Sequence, residues 1–251
     1  MPVTVQELEN KLNSYLKVNE IRENALNGLQ VGDTKANVNR ISFAVDACQY
    51  SISESAKANA DILIVHHGLF WGTQLAIRDT LYDRIQLLVK NNITLLAYHL
   101  PLDMHPEIGN NICIARHMGL DNLHNFGDYH GMNIGYSGVL PEPLTIKKIA
   151  DILPESMNKN IEILPYGKKM IQTVAVVSGG YAKGVHEAIT ENIDLYITGE
   201  GLYDVYHTIR DSRINVIYAG HYETETIGIQ ALQKWIENEF QLKTVYIAED
   251  Y

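Results

Sequence analysis

Short apolar segments recur along the chain, and most of them end abruptly at a glycine, a histidine or an acidic residue. Apolar runs of this length, bounded by turn residues, are typical of strands that are buried on both faces, as in parallel sheets. The strands predicted in this way are 40–46, 62–65, 92–98, 172–180 (with its turn), 194–200, 214–220 and 243–248.

The segments between these strands carry apolar side chains at helical spacing. The first helix is predicted to begin at Thr4, which can form a capping box with Glu7. The other predicted helices are 50–59, 80–90, 109–118, 144–152, 185–192 and 224–240. Strands that alternate with helices indicate parallel α/β units joined by right-handed crossovers. We therefore predict an α/β fold with mostly parallel sheets.

The second half of the chain repeats the pattern of the first half. Segment 60–68 aligns with segment 193–201, and one helix later each half has a histidine at the end of an apolar strand. The matched pairs are Asp61 with Asp194, His66 with Gly199, His67 with Glu200 and His99 with His221. Each half therefore looks like one strand–helix–strand–helix–strand unit.

The region between residues 122 and 166 departs from this pattern. Its segment 132–140 alternates in places and is broken by glycines, so it is predicted to be an edge strand or an antiparallel strand. We place a domain transition here and predict two pseudo-repeated α/β domains, 1–125 and 126–251, with a metal site in the cleft between them. As an alternative, the C-terminal helix and strand could pack against the first domain.

Composition and charge exclude some classes of function. The chain has 251 residues, of which 46% are hydrophobic and 20% charged, as in ordinary globular proteins. Its formal charge is −10 and it has no basic run, which disfavours nucleic acid as a partner. No apolar run reaches the roughly 20 residues that cross a bilayer, and the N-terminus opens a helix rather than a signal peptide. We expect a cytoplasmic protein without a membrane partner.

Histidines and acidic residues follow three of the predicted strands. Parallel sheets have their ligand sites just beyond the carboxyl ends of the strands. An isolated His-His pair is more often one core and one surface histidine, but four of the ten histidines here stand at strand ends. The strand-end residues are His66, His67, His99, Asp103, His221 and Glu225. This pattern indicates a metal site.

The neighbouring positions of two of these histidines favour two ions over one. Side chains of consecutive strand residues leave the strand on opposite faces, so His66 and His67 could each bind a separate ion. Asp103 and Glu225 could complete or bridge the pair. Mixed imidazole and carboxylate ligands suit Zn, Mn, Fe or Ni rather than Ca. Such dinuclear centres make a hydroxide available at neutral pH.

Five segments together resemble the Nif-three-like family, whose members are catalogued as GTP cyclohydrolase 1 type 2 homologs. The segments are 27–32, 65–68, 99–103 with 109–111, 198–200 and 220–225. The resemblance implies two related α/β domains, a toroidal homohexamer and a dinuclear metal site in which Glu225 bridges the ions. The implied metal ligands are His66, His67, Asp103, His221 and Glu225.

Two functions follow from this interpretation. The first is a metal-dependent hydrolase of a small, nucleotide-like molecule, in which His99 or Glu200 donates a proton. Each of these two residues is equally well explained as a group that orients a metal ligand. The second is a non-catalytic metal-binding scaffold or a protein of metallocofactor assembly.

Overall fold

The computed structural model describes residues 3–158 and 161–249, and it has a mixed α/β fold with two large sheets and one small sheet. The predicted α/β class is confirmed. The chain divides into two compact units, the first formed by Met1–Leu102 with Ile229–Tyr251 and the second by Asp103–Gly228. The predicted division into domains 1–125 and 126–251 stays a prediction.

The elements have the following bounds. The strands are β1 (Val3–Thr4), β2 (Gly28–Val31), β3 (Asn37–Val38), β4 (Arg40–Asp46), β5 (Ile62–His67), β6 (Thr94–Ala97), β7 (Asp121–Tyr129), β8 (Met132–Leu144), β9 (Glu162–Pro165), β10 (Ile171–Val177), β11 (Leu195–Thr198), β12 (Asn215–Tyr218) and β13 (Lys243–Tyr246). The helices are α1 (Val5–Tyr15), α2 (Gln49–Lys57), α3 (Asp79–Lys90), α4 (Leu100–Asp103), α5 (Asn110–His117), α6 (Ile146–Asp151), α7 (Val185–Thr190), α8 (Tyr203–Asp211) and α9 (His221–Phe240). Short 3₁₀ turns occur at Val18–Glu20, Glu155–Met157 and Ala182–Gly184.

The sheet of the first unit has the strand order β13-β4-β5-β6-β2. Its first four strands are parallel, and β2 is antiparallel to β6. The apolar run Ile62–Val65 of β5 is fully buried, as expected for a strand covered on both faces. Because β13 comes from the C-terminal part of the chain and pairs with β4, segments from both ends of the sequence share one sheet.

The sheet of the second unit has the order β7-β8-β10-β11-β12-β9. Its centre, β10-β11-β12, is parallel, and antiparallel strands extend it on both sides. Strand β8 is antiparallel, one of the two possibilities left open for residues 132–140. It is not an edge strand, because β7 pairs with its other side.

The two large sheets contain the same arrangement of four strands. In each, three consecutive parallel strands are followed by one antiparallel strand, giving β4-β5-β6-β2 and β10-β11-β12-β9. Asp61 accepts hydrogen bonds from two backbone amides at the start of β4, 2.7 and 3.0 Å away. Asp194 accepts the equivalent bonds at the start of β10, 3.0 and 3.1 Å away. The predicted alignment of Asp61 with Asp194 therefore corresponds to equivalent positions in the two units.

The helix ends follow local chemistry. Thr4 and Glu7 form the predicted capping box at the start of α1. Helix α9 begins at His221 rather than at residue 224, which places both His221 and Glu225 on its first turns. Within residues 3–158 and 161–249, no helix is both long and apolar enough to span a bilayer.

Candidate metal-binding site

Three histidines meet at the carboxyl edge of the first unit's sheet. His66 and His67 end β5, and His99 follows β6 by two residues. One ring nitrogen from each histidine lies within 4.8 Å of the others. The rings of His66 and His67 are 4.7 Å apart between centroids, although consecutive strand residues start on opposite faces. They can converge because β5 ends at His67. We call these three residues the histidine cluster.

Each ring of the histidine cluster is oriented by an oxygen acceptor at its Nδ1 atom. The pairs are His66 with the carbonyl oxygen of Tyr98 (3.0 Å), His67 with Oδ1 of Asp46 (3.0 Å) and His99 with Oε2 of Glu23 (2.5 Å). An oxygen that can only accept requires the proton to be on Nδ1, so the lone pair of each neutral ring is on Nε2. Metal-ligating histidines are held in this way, by a carbonyl or carboxylate behind the ring. The cluster therefore has the chemistry of a metal site.

His99 is held by more contacts than its ring bond alone. The carboxylate of Glu23 also accepts from the backbone amide of Leu100 (3.0 Å) and from Nδ2 of Asn27 (2.8 Å). Oδ1 of Asn27 in turn accepts from the backbone amide of His99 (2.8 Å). The Glu23 side chain is only 4% exposed. Sequence analysis missed Glu23, because it precedes the first large sheet and no strand-end pattern marks it.

The second unit has glycines at the same edge of its own sheet. Gly179, Gly199 and Gly220 follow β10, β11 and β12. They are joined by backbone hydrogen bonds, from the amide of Gly199 to Gly179 and from the amide of Gly220 to Gly199. Glu200 and His221 are the next residues along two of these turns. The turns therefore bring the strand-end side chains of the second unit to one edge.

His221 lies between two carboxylates. Its Nε2 is 3.3 Å from Oε1 of Glu225, and its Nδ1 is 3.1 Å from Oε1 of Glu200. The hydrogen bond to Glu225 raises the pKa of His221 to about 9, assisted by the charges of both carboxylates and opposed by partial burial. His221 is therefore protonated at neutral pH when no metal is present, and a metal ion would take the place of that proton.

Two buried carboxylates border the turn after β10. Asp103, which ends α4, accepts hydrogen bonds from Nδ2 of Asn110 (2.8 Å) and Oγ of Ser178 (2.9 Å). A Cβ atom on Gly179 would lie 2.4 Å from Oε1 of Glu225, so only glycine fits there. Asp103 and Glu225 are 6% and 2% exposed. Sequence analysis predicted both acids and the turn that ends segment 172–180, but not that Asp103 bonds to Ser178 and that Glu225 lies against Gly179. We call Asp103, Glu200, His221 and Glu225 the acidic cluster.

Within each unit the structure brings predicted residues together. His66, His67 and His99 meet in the first unit, and His221 lies between Glu200 and Glu225 in the second. Imidazoles with a fixed tautomer and buried carboxylates are donors for divalent transition metals. Fold and site together define an α/β protein whose strand-end histidines and acids could bind metal.

The comparisons with known proteins place this chain in a family. The model of the Duf34/NIF3 (NGG1p interacting factor 3) family matches residues 3–250, and the chain belongs to that family. A protein of Pyrococcus abyssi named GTP cyclohydrolase 1 type 2 homolog is 41% identical over 243 residues, 96% of each chain. The predicted resemblance is confirmed.

Solved structures show the same fold. Protein ybgI, described as of unknown function, has a TM-score of 0.92 and 31% identity over 99% of both chains. TTHA1606 from Thermus thermophilus has a TM-score of 0.89 and 34% identity, again over 99% of both chains.

Proposed function

We propose that this chain is a metal-dependent hydrolase of a small, nucleotide-like molecule. In this proposal the chain would bind two divalent ions, of Zn, Mn, Fe or Ni, and Glu225 would be a ligand of both. The proposed ligands are His66, His67, Asp103, His221 and Glu225. The observation that carries the proposal is the orientation of the three imidazoles of the histidine cluster, each held at Nδ1 by an oxygen atom.

The chemistry divides between the ions and the chain. Divalent ions, when bound, lower the pKa of water so that a hydroxide nucleophile is available at neutral pH. We assign proton transfer to His99 and Glu200. Glu23 accepts a hydrogen bond from Nδ1 of His99, so the lone pair of the neutral ring is on Nε2, which can then accept a proton. The Glu200 side chain is 57% exposed, so it can reach a substrate while it contacts His221.

The name that the relatives carry suggests the class of substrate, a guanine nucleotide. Proteins that are 34–41% identical to this chain are named GTP cyclohydrolase 1 type 2 homolog. A guanine nucleotide carries both phosphate oxygens that can approach cations and a ring that hydrolysis can open. We further propose a cytoplasmic location, a homohexameric assembly and a small molecule as the partner.

Elemental analysis of purified variants tests the metal assignment. We expect about two transition-metal ions per chain in the natural protein and loss of at least one in His66→Ala and in Glu225→Gln. His186→Ala, which removes an exposed histidine from α7, is the matched control and should keep both ions. Full occupancy in His66→Ala and Glu225→Gln would overturn the assignment.

A substrate screen tests the activity. Nucleotides, phosphoesters and amides are offered to the metal-loaded protein, and any turnover should disappear in Asp103→Ala. A protein that holds two ions but converts none of these substrates would instead support the non-catalytic scaffold or metallocofactor-assembly function.

A further inference from the structure

Trp71 lies beside the histidine cluster. Its ring centroid is 5.0 Å from that of His99 in an edge-on arrangement and 6.0 Å from that of His67. The residue is 38% exposed, at the start of a run from 71 to 80 in which every residue is exposed. An exposed indole therefore borders the proposed metal site, and the proposed function assigns it no role.

The indole is held in place from several directions. Trp71 forms an isolated antiparallel bridge with Ala25, and its carbonyl oxygen accepts from the amide of Thr73 (2.9 Å). The next residue, Gly72, has φ +70, and a Cβ there would lie 3.2 Å from atoms of Asn24. The side chain itself donates from Nε1 to the carbonyl oxygen of Gly68 (3.0 Å). A large apolar ring is thus fixed while it remains exposed.

The Nε1 bond determines what Trp71 can offer to a ligand. An indole has one N–H donor and no acceptor, and here that donor is bonded to Gly68. The exposed part can therefore recognise a ligand only through its apolar ring. Such a surface stacks on planar rings and has no means to bind a phosphate or a carboxylate.

We propose that Trp71 forms an aromatic wall of the substrate site, on which a planar heteroaromatic ring of the substrate stacks. This inference rests on the proposed function and narrows its substrate class to molecules that carry such a ring. The phosphate or other charged part of the substrate is recognised elsewhere. Because Trp71 contacts both His67 and His99, a ring stacked on it lies next to the proposed metal ligands.

Tryptophan fluorescence tests the proposal. The chain has two tryptophans, and Trp235 is stacked on Tyr15 at 4.0 Å, so Trp235→Phe keeps that contact and leaves Trp71 as the reporter. The probes are GTP, guanosine and inorganic triphosphate, added to the full chain loaded with Zn²⁺. We expect GTP and guanosine to quench the emission and triphosphate to leave it unchanged. Equal quenching by triphosphate, or unchanged emission with both ring probes, overturns the proposal.

Calorimetry of variants provides the second arm. Trp71→Ala should weaken guanosine binding by about tenfold or more, and Trp71→Phe should restore most of it. Tyr50→Ala, which removes another exposed aromatic of the first unit, should bind like the natural protein. An unchanged affinity in Trp71→Ala overturns the proposal, and so does a loss of assembly mass in that variant, since the residue would then belong to a contact between copies.

The outcomes separate this inference from the proposed function. Elemental analysis of Trp71→Ala should show the natural metal content, so that lost ring binding cannot be attributed to lost metal. If ring probes bind through Trp71 but none is hydrolysed, the result supports the aromatic wall and contradicts the hydrolase activity. If hydrolysis is found but Trp71→Ala binds the ring as tightly as the natural protein does, the result supports the hydrolase activity and contradicts the aromatic wall.

Discussion

At Gly179 the lack of a side chain allows two residues of the acidic cluster to approach the end of β10. Its φ is +66, and a Cβ there would lie 2.4 Å from Oε1 of Glu225 and 3.2 Å from Nε2 of His221. Gly179→Ala should therefore displace Glu225 and lower the metal content. Gly119→Ala is a matched control, because Gly119 has φ +69 and, apart from its two chain neighbours, no atom of the described residues lies within 4 Å of a Cβ placed there.

Both alanine variants should lose about 1–2 kcal/mol of unfolding free energy, the cost of a left-handed conformation for a residue with a Cβ. Gly179→Ala should lose more than this, because its Cβ would also meet Oε1 of Glu225. Only Gly179→Ala should lose metal by elemental analysis. Natural metal content in Gly179→Ala, with a stability like that of Gly119→Ala, would contradict the role assigned to Gly179.

His221 gives a prediction about pH. Its pKa is raised from 6.5 to about 9, first by the hydrogen bond to Glu225. The stabilisation that this provides to the metal-free protein is fully present below pH 6.5 and is lost as the pH rises through about 9. Metal binding must release the proton, so metal affinity should increase with pH up to about 9.

An NMR titration of the His221 ring in metal-free protein measures this pKa. Glu225→Gln should lower it more than Glu200→Gln does, because the bond to Glu225 is the largest single influence. A larger effect of Glu200→Gln would contradict this assignment.

At the scale of elements, Asp194, which directly precedes β11, links that strand to its neighbour β10 through hydrogen bonds. Asp194 accepts hydrogen bonds from two backbone amides at the start of β10 and from Nζ of Lys168. Burial alone would raise the pKa of Asp194, but these hydrogen bonds and the charge of Lys168 together lower it below 3.8. Its contribution to stability is present above pH 3.8 and is lost as the pH falls through the lower folded pKa.

Asp194→Ala should cost about 3 kcal/mol of unfolding free energy at pH 7, because two partly buried backbone donors lose a charged acceptor. Lys168→Met should cost less than about 1 kcal/mol, since the lysine side chain is 71% exposed. Urea unfolding at pH 7 and pH 3 measures both, and the cost of Asp194→Ala should shrink at pH 3. Equal costs for the two variants would contradict this role of Asp194.

Most helices and strands could be predicted from the sequence, because their patterns are local. Strand β7 was missed since most of it is exposed and it has no apolar alternation. Helix α8 was missed because only Val205 and Ile209 of its residues are buried, a stripe too narrow to mark an amphipathic helix. Helix α4 has a single turn and a proline, so nothing in its sequence distinguishes it from a loop.

At the scale of the whole molecule, assembly is the property to test. The exposed run 71–80 of the first unit contains Leu75 and Ile77, which are 48% and 56% exposed. Apolar side chains on an exposed segment are typical of surfaces that another chain covers. We expect light scattering to give six times the mass of one chain, and the double variant Leu75→Asp/Ile77→Asp to give a smaller assembly. A monomeric natural protein would contradict the hexamer.

The sequence by itself determined the α/β class, the internal repeat and the placement of histidines and acids at strand ends. These properties can be read locally, since a strand buried on both faces must be an unbroken apolar run and the residue after it lies at the sheet edge. Only the tertiary structure decided that Glu23 orients His99, 76 residues away, and that Ser178 and Gly179 border Asp103 and Glu225. Such contacts join residues far apart in the chain, and the pairing of a ring with its acceptor depends on how strands and turns pack, which no local pattern records.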